Sequence, residues 1–149
     1  MVKRVSIISA LVLLASTLVT LTSANDEGPF TLVGSWLIIV DSTGDRILAT
    51  FTEGGIHMLN TGQAGISTGY GAWKQTGLGT FSSIVIAFIF GADGKTQFIQ
   101  KGIAAPELAP DGQSFTSPLV IEISGLDGTV VDTIRATISA RRIIPEPLP

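Results

Sequence analysis

The 149-residue chain predicts an all-β fold, an eight-stranded antiparallel up-and-down barrel. Three observations carry this expectation. Eight short runs rich in β-branched and aromatic residues succeed one another from Leu32 onward, separated by glycine-containing breakers. No stretch beyond residue 24 has convincing helical periodicity, and the best candidate, Thr61 to Gly69, is broken up by its glycines. The two ends of the pattern, Gly34-Ser35-Trp36 and Arg141-Arg142, have the parity to meet if the sheet closes on itself.

The chain opens with a leader. Lys3 and Arg4 give a short positive start, Val5 to Leu21 carries no charge, and Thr22 and Ala24 place small residues at −3 and −1 of a cut after Ala24. Residues 1–24 thus have the layout of a secretory signal peptide. An uncleaved anchor helix is the alternative, but Ser and Thr interrupt the apolar run. The expected location is secreted or periplasmic, with no stable membrane anchor after cleavage. N-terminal sequencing of the exported protein should read from Asn25, and an intact Met1 on the mature form would overturn the assignment. Loss of Lys3 and Arg4 moves the formal charge from −3 to about −5, which argues against nucleic acid as a partner. There is no cysteine. The fold therefore has no disulfide staple, and thiolate nucleophiles, Fe–S clusters and Cys-based zinc sites are excluded.

Residues 25–31 read as a polar linker, 32–143 as the barrel and 144–149 as a Pro-rich tail. The strand runs are LVGSWLIIV, RILATFT, GIHMLN, GAWKQT, TFSSIVIAFIF, KTQFIQKGIA, SFTSPLVIEIS and TVVDTIRATISARRI. Asp93-Gly94, Asp111-Gly112 and Asp127-Gly128 separate the last four, which points to an antiparallel meander of strands about ten residues long. "ELAP" at 107–110 is too short for a helix. Alternation assigns the faces. Ile47, Ala49 and Phe51 share one face of the second run. Phe115, Leu119, Ile121 and Ile123 share one in the seventh, and Ile134, Ala136, Ile138 and Ala140 one in the last. The fifth run is apolar on both faces, so its outside is either covered or an interface.

An even-numbered meander that closes pairs its first and last strands antiparallel. Trp36, Ile38 and Val40 share a parity, and Arg142 continues the inward parity of Ile134 to Ala140. Trp36 and Arg142 are therefore expected to close one end of the barrel, the guanidinium stacked on the indole. Gly34-x-Trp36 with this late Arg resembles the signature of the lipocalins and the wider calycin superfamily. The second Gly-x-Trp, Gly71 to Trp73, and the terminal "ARRI" are similar to a group of secreted lipocalin-like proteins of uncharacterised function. In that group a His often stands where this chain has Tyr70. The chain lacks the C-terminal helix and the disulfides of many lipocalins.

The resemblance implies non-covalent binding or carriage of a small apolar molecule. The candidate ligand-contacting residues are Trp36, Phe51, His57, Tyr70, Trp73 and Phe98. Small inward residues (Ala49, Ala136, Ala140) leave space in the barrel, and Thr61 to Gly69, with no regular pairing expected, is a candidate mobile lid at its mouth. His57 has the opposite parity to Ile56 and Met58, which points it outward or towards a mouth. As the single His, with no carboxylate at ligand spacing, it makes no metal site. No metal or other cofactor and no catalytic residue is expected. Asp41 in "DSTG" resembles an aspartic-protease loop with one residue too many, and "GADGKT" lacks the first glycine and the helix of a phosphate loop. Asp93, Asp111 and Asp127 read as turn residues. No G-x-S-x-G elbow is present, and nothing pairs Glu53, Glu107, Glu122 or Asp132. Two other readings stay open: an isomerase- or cyclase-type barrel enzyme on an apolar substrate, and a filled structural barrel using Ile84 to Phe90 as an interface.

Overall fold

The structure, a computed structural model, describes residues 30–148. The signal peptide and most of the linker expected from the sequence lie outside these residues. Nine strands form: β1 (Gly34–Val40), β2 (Arg46–Phe51), β3 (Ile56–Asn60), β4 (Gly69–Gly77), β5 (Thr80–Phe90), β6 (Thr96–Ala104), β7 (Glu107–Leu108), β8 (Ser114–Gly125) and β9 (Val130–Arg142). There is no helix among the described residues. The order β4-β3-β2-β1-β9-β8-β6-β5 closes through β4–β5, and every pairing is antiparallel. The result is a closed eight-stranded up-and-down barrel with no free edge of the kind that open sheets expose.

The two-residue β7 is not a ninth stave. It pairs with β5 through Thr80 and Glu107 and with β8 through Leu108 and Phe115, so it occupies the slot between them where β6 has ended. Pro106, which has no N–H to give the ladder, marks the break. The buried Ser117 hydroxyl repairs it by accepting from the Ala105 N–H and donating to the Pro118 carbonyl. "ELAP" is thus the interrupted end of the sixth stave.

The Asp-Gly turns have one chemistry. The carboxylates of Asp93, Asp111 and Asp127 each accept the backbone N–H two residues on, from Lys95, Gln113 and Thr129. Only the glycine takes positive φ.

Of the faces assigned by alternation, Ala49, Phe51, Phe115, Ile138 and Ala140 are buried in the core. Ile134 faces inward as well, yet is 43 % exposed, because it stands at the open end. The inner side of β5 is Phe81, Ser83, Val85 and Ala87, all buried. Its outer side, Ile84, Ile86, Phe88 and Phe90, is uncovered among the described residues.

The segment 61–69 departs from expectation. Ile66 bridges to Ile89, the Ser67 N–H donates to the Phe88 carbonyl, and the Phe90 N–H donates to the Gly65 carbonyl. Gly69 belongs to β4 and is buried. Residues 65–67 are therefore pinned to β5, and Gly62 and Gly65 serve as positive-φ turn positions. Hydrogen exchange should be slow at Ser67 and Phe90 and fast at Gly62 and Gln63, whose N–H groups reach only the nearby Asn60 and Thr61 side chains. Fast exchange across all of 61–68 would restore the mobile-lid expectation.

Candidate functional site

Strand direction gives the barrel two unlike ends. The loops after β1, β3, β5 and β8 stand at one, and those after β2, β4 and β7 at the other, where the chain also enters. The entry end is sealed. Trp36 is fully buried and pairs across the sheet with Arg142. The guanidinium carbon lies 4.3 Å from the indole centroid, and the Phe115 ring tilts against the indole, 4.9 Å away. Arg142 also donates to the carbonyls of Gly112 (3.1 Å) and Thr31 (2.7 Å) and to that of Val33. The Trp36 indole N–H donates to the Leu32 carbonyl at 2.8 Å. A strap of chain from Thr31 to Val33 is thereby tied across the barrel end, starting one residue before the boundary expected at Leu32.

Above this plug the interior is not filled. An inner chamber of about 30 Å³ is walled by Ile38, Phe51, Val85 and Ala104, among others, and holds two polar side chains, His57 and Ser83. That volume admits a group the size of a water molecule or two. Beyond it a basin of about 290 Å³ opens at the loop end. The basin is apolar along its wall (Ile89, Ile121, Ile123, Ile134, Ala136), with Ser42, Thr43, Asp45, Thr61, Gln63 and Gln100 at polar points. Ile47 and Leu119 line both spaces.

His57 does not point outward or to the rim as its neighbours suggested. It is 4 % exposed and faces the barrel axis, while Ile56 is exposed on the outside. Register is the reason: β3 pairs His57 with Phe51, an inward residue, and the imidazole stacks on that ring at 4.3 Å. On its other side the cross-strand partner is Gly71, which has no side chain. Among the described residues, neither Nδ1 nor Nε2 has a hydrogen-bond partner. Burial lowers the His57 pKa from 6.5 to about 4, so the ring is neutral at pH 7.

The other candidates separate. Phe51 lines the inner chamber with His57. Trp36 belongs to the plug. Trp73 is half-buried between Phe51 and Phe81, its indole N–H donating to the Thr52 carbonyl. Phe98 is half-buried near the open end, opposite Ile89. Tyr70 is 61 % exposed on the outer surface, because Gly69 and Gly71 take the inward positions on β4. It therefore lies away from the cavity. Gln100 joins the basin lining as a residue that no motif marks. It shares the parity of Phe98, and that was the available signal. Glu122 is engaged by Lys101 on the outside. Asp41 accepts from the Ser139 hydroxyl. Among the described residues, no group of three or more His, Asp or Glu side chains stands together to hold a metal.

Comparison with family models, with curated proteins and with solved structures finds no match for this chain.

The depressed His57 pKa has a stability consequence. Above pH 6.5 the ring is neutral in both folded and unfolded chains. Below it the unfolded chain takes up a proton that the folded chain refuses until about pH 4. The stability associated with this group is thus present above pH 6.5 and lost as the pH falls towards 4, by about 3 kcal/mol in all. His57→Phe keeps a ring to stack on Phe51 and removes the unpaired nitrogens. It should be more stable than the wild type by about 1–2 kcal/mol at pH 7, with a gap that widens between pH 6.5 and 4. Urea midpoints of the two proteins across that range check this, and a constant gap would contradict burial of a neutral His57.

Proposed function

We propose that this protein is a lipocalin-like carrier that holds a small apolar molecule, non-covalently, inside its barrel. The observation that supports it is the asymmetry of the interior: one end sealed by Trp36 and Arg142, the other opening into a basin of about 290 Å³ with an apolar wall. Ligand pockets are concave, mostly apolar and furnished with a few polar groups, and this basin has that composition. The leader and the mature net charge favour an extracytoplasmic setting and a neutral rather than anionic cargo. Native mass spectrometry of the protein purified from its own source should find a copurifying apolar molecule. An uncharged environment-sensitive dye should bind one per barrel, with blue-shifted emission. Failure of both would remove the carrier reading and favour a structural barrel that uses Ile84 to Phe90 as an interface.

A further inference from the structure

We propose that the barrel takes amphiphiles with a hydroxyl head, inserted head first so that the hydroxyl meets His57 in the inner chamber while the aliphatic tail lies in the basin. This rests on the carrier reading and goes beyond it by naming the class of ligand and its orientation.

The argument begins from a cost. A buried polar group without a partner destabilises a fold, and His57 has two such atoms at 4 % exposure. An apolar side chain in its place would satisfy Phe51 on one side and Gly71 on the other equally well. The imidazole lines the chamber, and Ile47 and Leu119 stand between chamber and basin, so a ligand that occupies both passes between these two side chains.

Size and charge then select the head. A chamber of about 30 Å³ admits one or two heavy atoms and no ring or phosphate. Its lining contains no Lys, Arg, Asp or Glu, so a carboxylate or ammonium head would be buried without a counter-charge, at a large desolvation cost. The imidazole is neutral at pH 7 and offers one N–H and one lone pair. A hydroxyl, being both donor and acceptor, pairs with whichever nitrogen the tautomer presents. Ser83, in the same chamber, offers a further hydroxyl to the head.

The test uses n-octanol, n-octane and octanoate, each displacing an uncharged bound dye from the wild type, His57→Phe and His57→Gln. In the wild type, octanoate should be the weakest competitor. His57→Phe should weaken octanol about tenfold, the effect of one lost hydrogen bond to a desolvated hydroxyl, and leave octane within about twofold. His57→Gln, with a donor and an acceptor, should recover part of the octanol affinity. Because the chain has a single histidine, its imidazole ¹⁵N resonances in the wild type give a readout that needs no variant. They should move on adding octanol and stay still on adding octane. If octane and the dye bind but octanol affinity is unchanged by His57→Phe, or the ¹⁵N resonances ignore octanol, the hydroxyl-head assignment is overturned while the carrier reading stands. If neither dye nor any octyl compound binds, the carrier reading itself has failed.

Discussion

Trp36→Ala should lower the unfolding free energy by about 3–5 kcal/mol, as for other large-to-small core changes. The indole is fully buried, stacks under the Arg142 guanidinium, packs on Phe115 and donates to the Leu32 carbonyl. Its removal leaves a hole at the sealed end and unties the strap. Arg142→Ala should cost about 2–3 kcal/mol, more than stacking alone would give, because charged hydrogen bonds to Gly112, Thr31 and Val33 go with it. Arg141 pairs with Leu37 on the outer face and is exposed, so Arg141→Ala should stay within about 0.5 kcal/mol. A urea series on the three variants should rank Trp36 above Arg142 above Arg141. Equal losses at Arg141 and Arg142 would mean that the β1–β9 register is off by one residue.

That closure was readable because it depends on counting. An even meander brings first and last strands together, and parity then picks Arg142 over Arg141. The eight staves were readable for a related reason: Asp-Gly and glycine punctuation is local, and each Asp carboxylate satisfies its own turn. What failed was whatever depended on a partner strand. "IHMLN" is apolar at Ile56, Met58 and Leu59, so hydrophobicity does not fix its face. The hairpin through Thr52 to Gly55 fixes it, by pairing Phe51 with His57. Tyr70 was misleading in the opposite way: its neighbours Gly69 and Gly71 have no side chain to declare that their face is the inner one. The ties that hold residues 65–67 run to β5, about twenty residues on, and leave no local trace. The basin wall was half legible, since Ile121, Ile123, Ile134 and Ala136 alternate cleanly. Whether such residues enclose a space or fill one depends on how the staves tilt, which alternation does not encode.

Gly71→Ala should be as damaging as the loss of Trp36, at more than about 3 kcal/mol, although it adds a single methyl group. A Cβ at position 71 would lie 1.8 Å from the Ile84 carbonyl oxygen and 2.7 Å from the Val85 Cα. Both are backbone atoms of the neighbouring stave, so no rotamer change relieves the clash. β4 would have to pull away from β5, disturbing the ladder from Tyr70–Ile86 to Gln75–Phe81 that closes the barrel. Glycine at the other Gly-x-Trp serves differently: Gly34 has φ +128°, and an added Cβ there would press on the Arg142 guanidinium, 2.8 Å away. The control is Gly128→Ala. Its φ of +85° makes alanine strained, but nothing lies within 4 Å of the added Cβ, so the cost should be only about 1–2 kcal/mol. Urea unfolding of the two variants separates close approach of strands from backbone strain. Equal costs would show that β4 and β5 are not pressed together at Gly71. A large cost at Gly71 alone would tie barrel closure to the same residue that pairs across the sheet with His57. Since β4 also pairs with β3, where Gly71 stands opposite His57, parting β4 from β5 would disturb the wall that holds His57 as well.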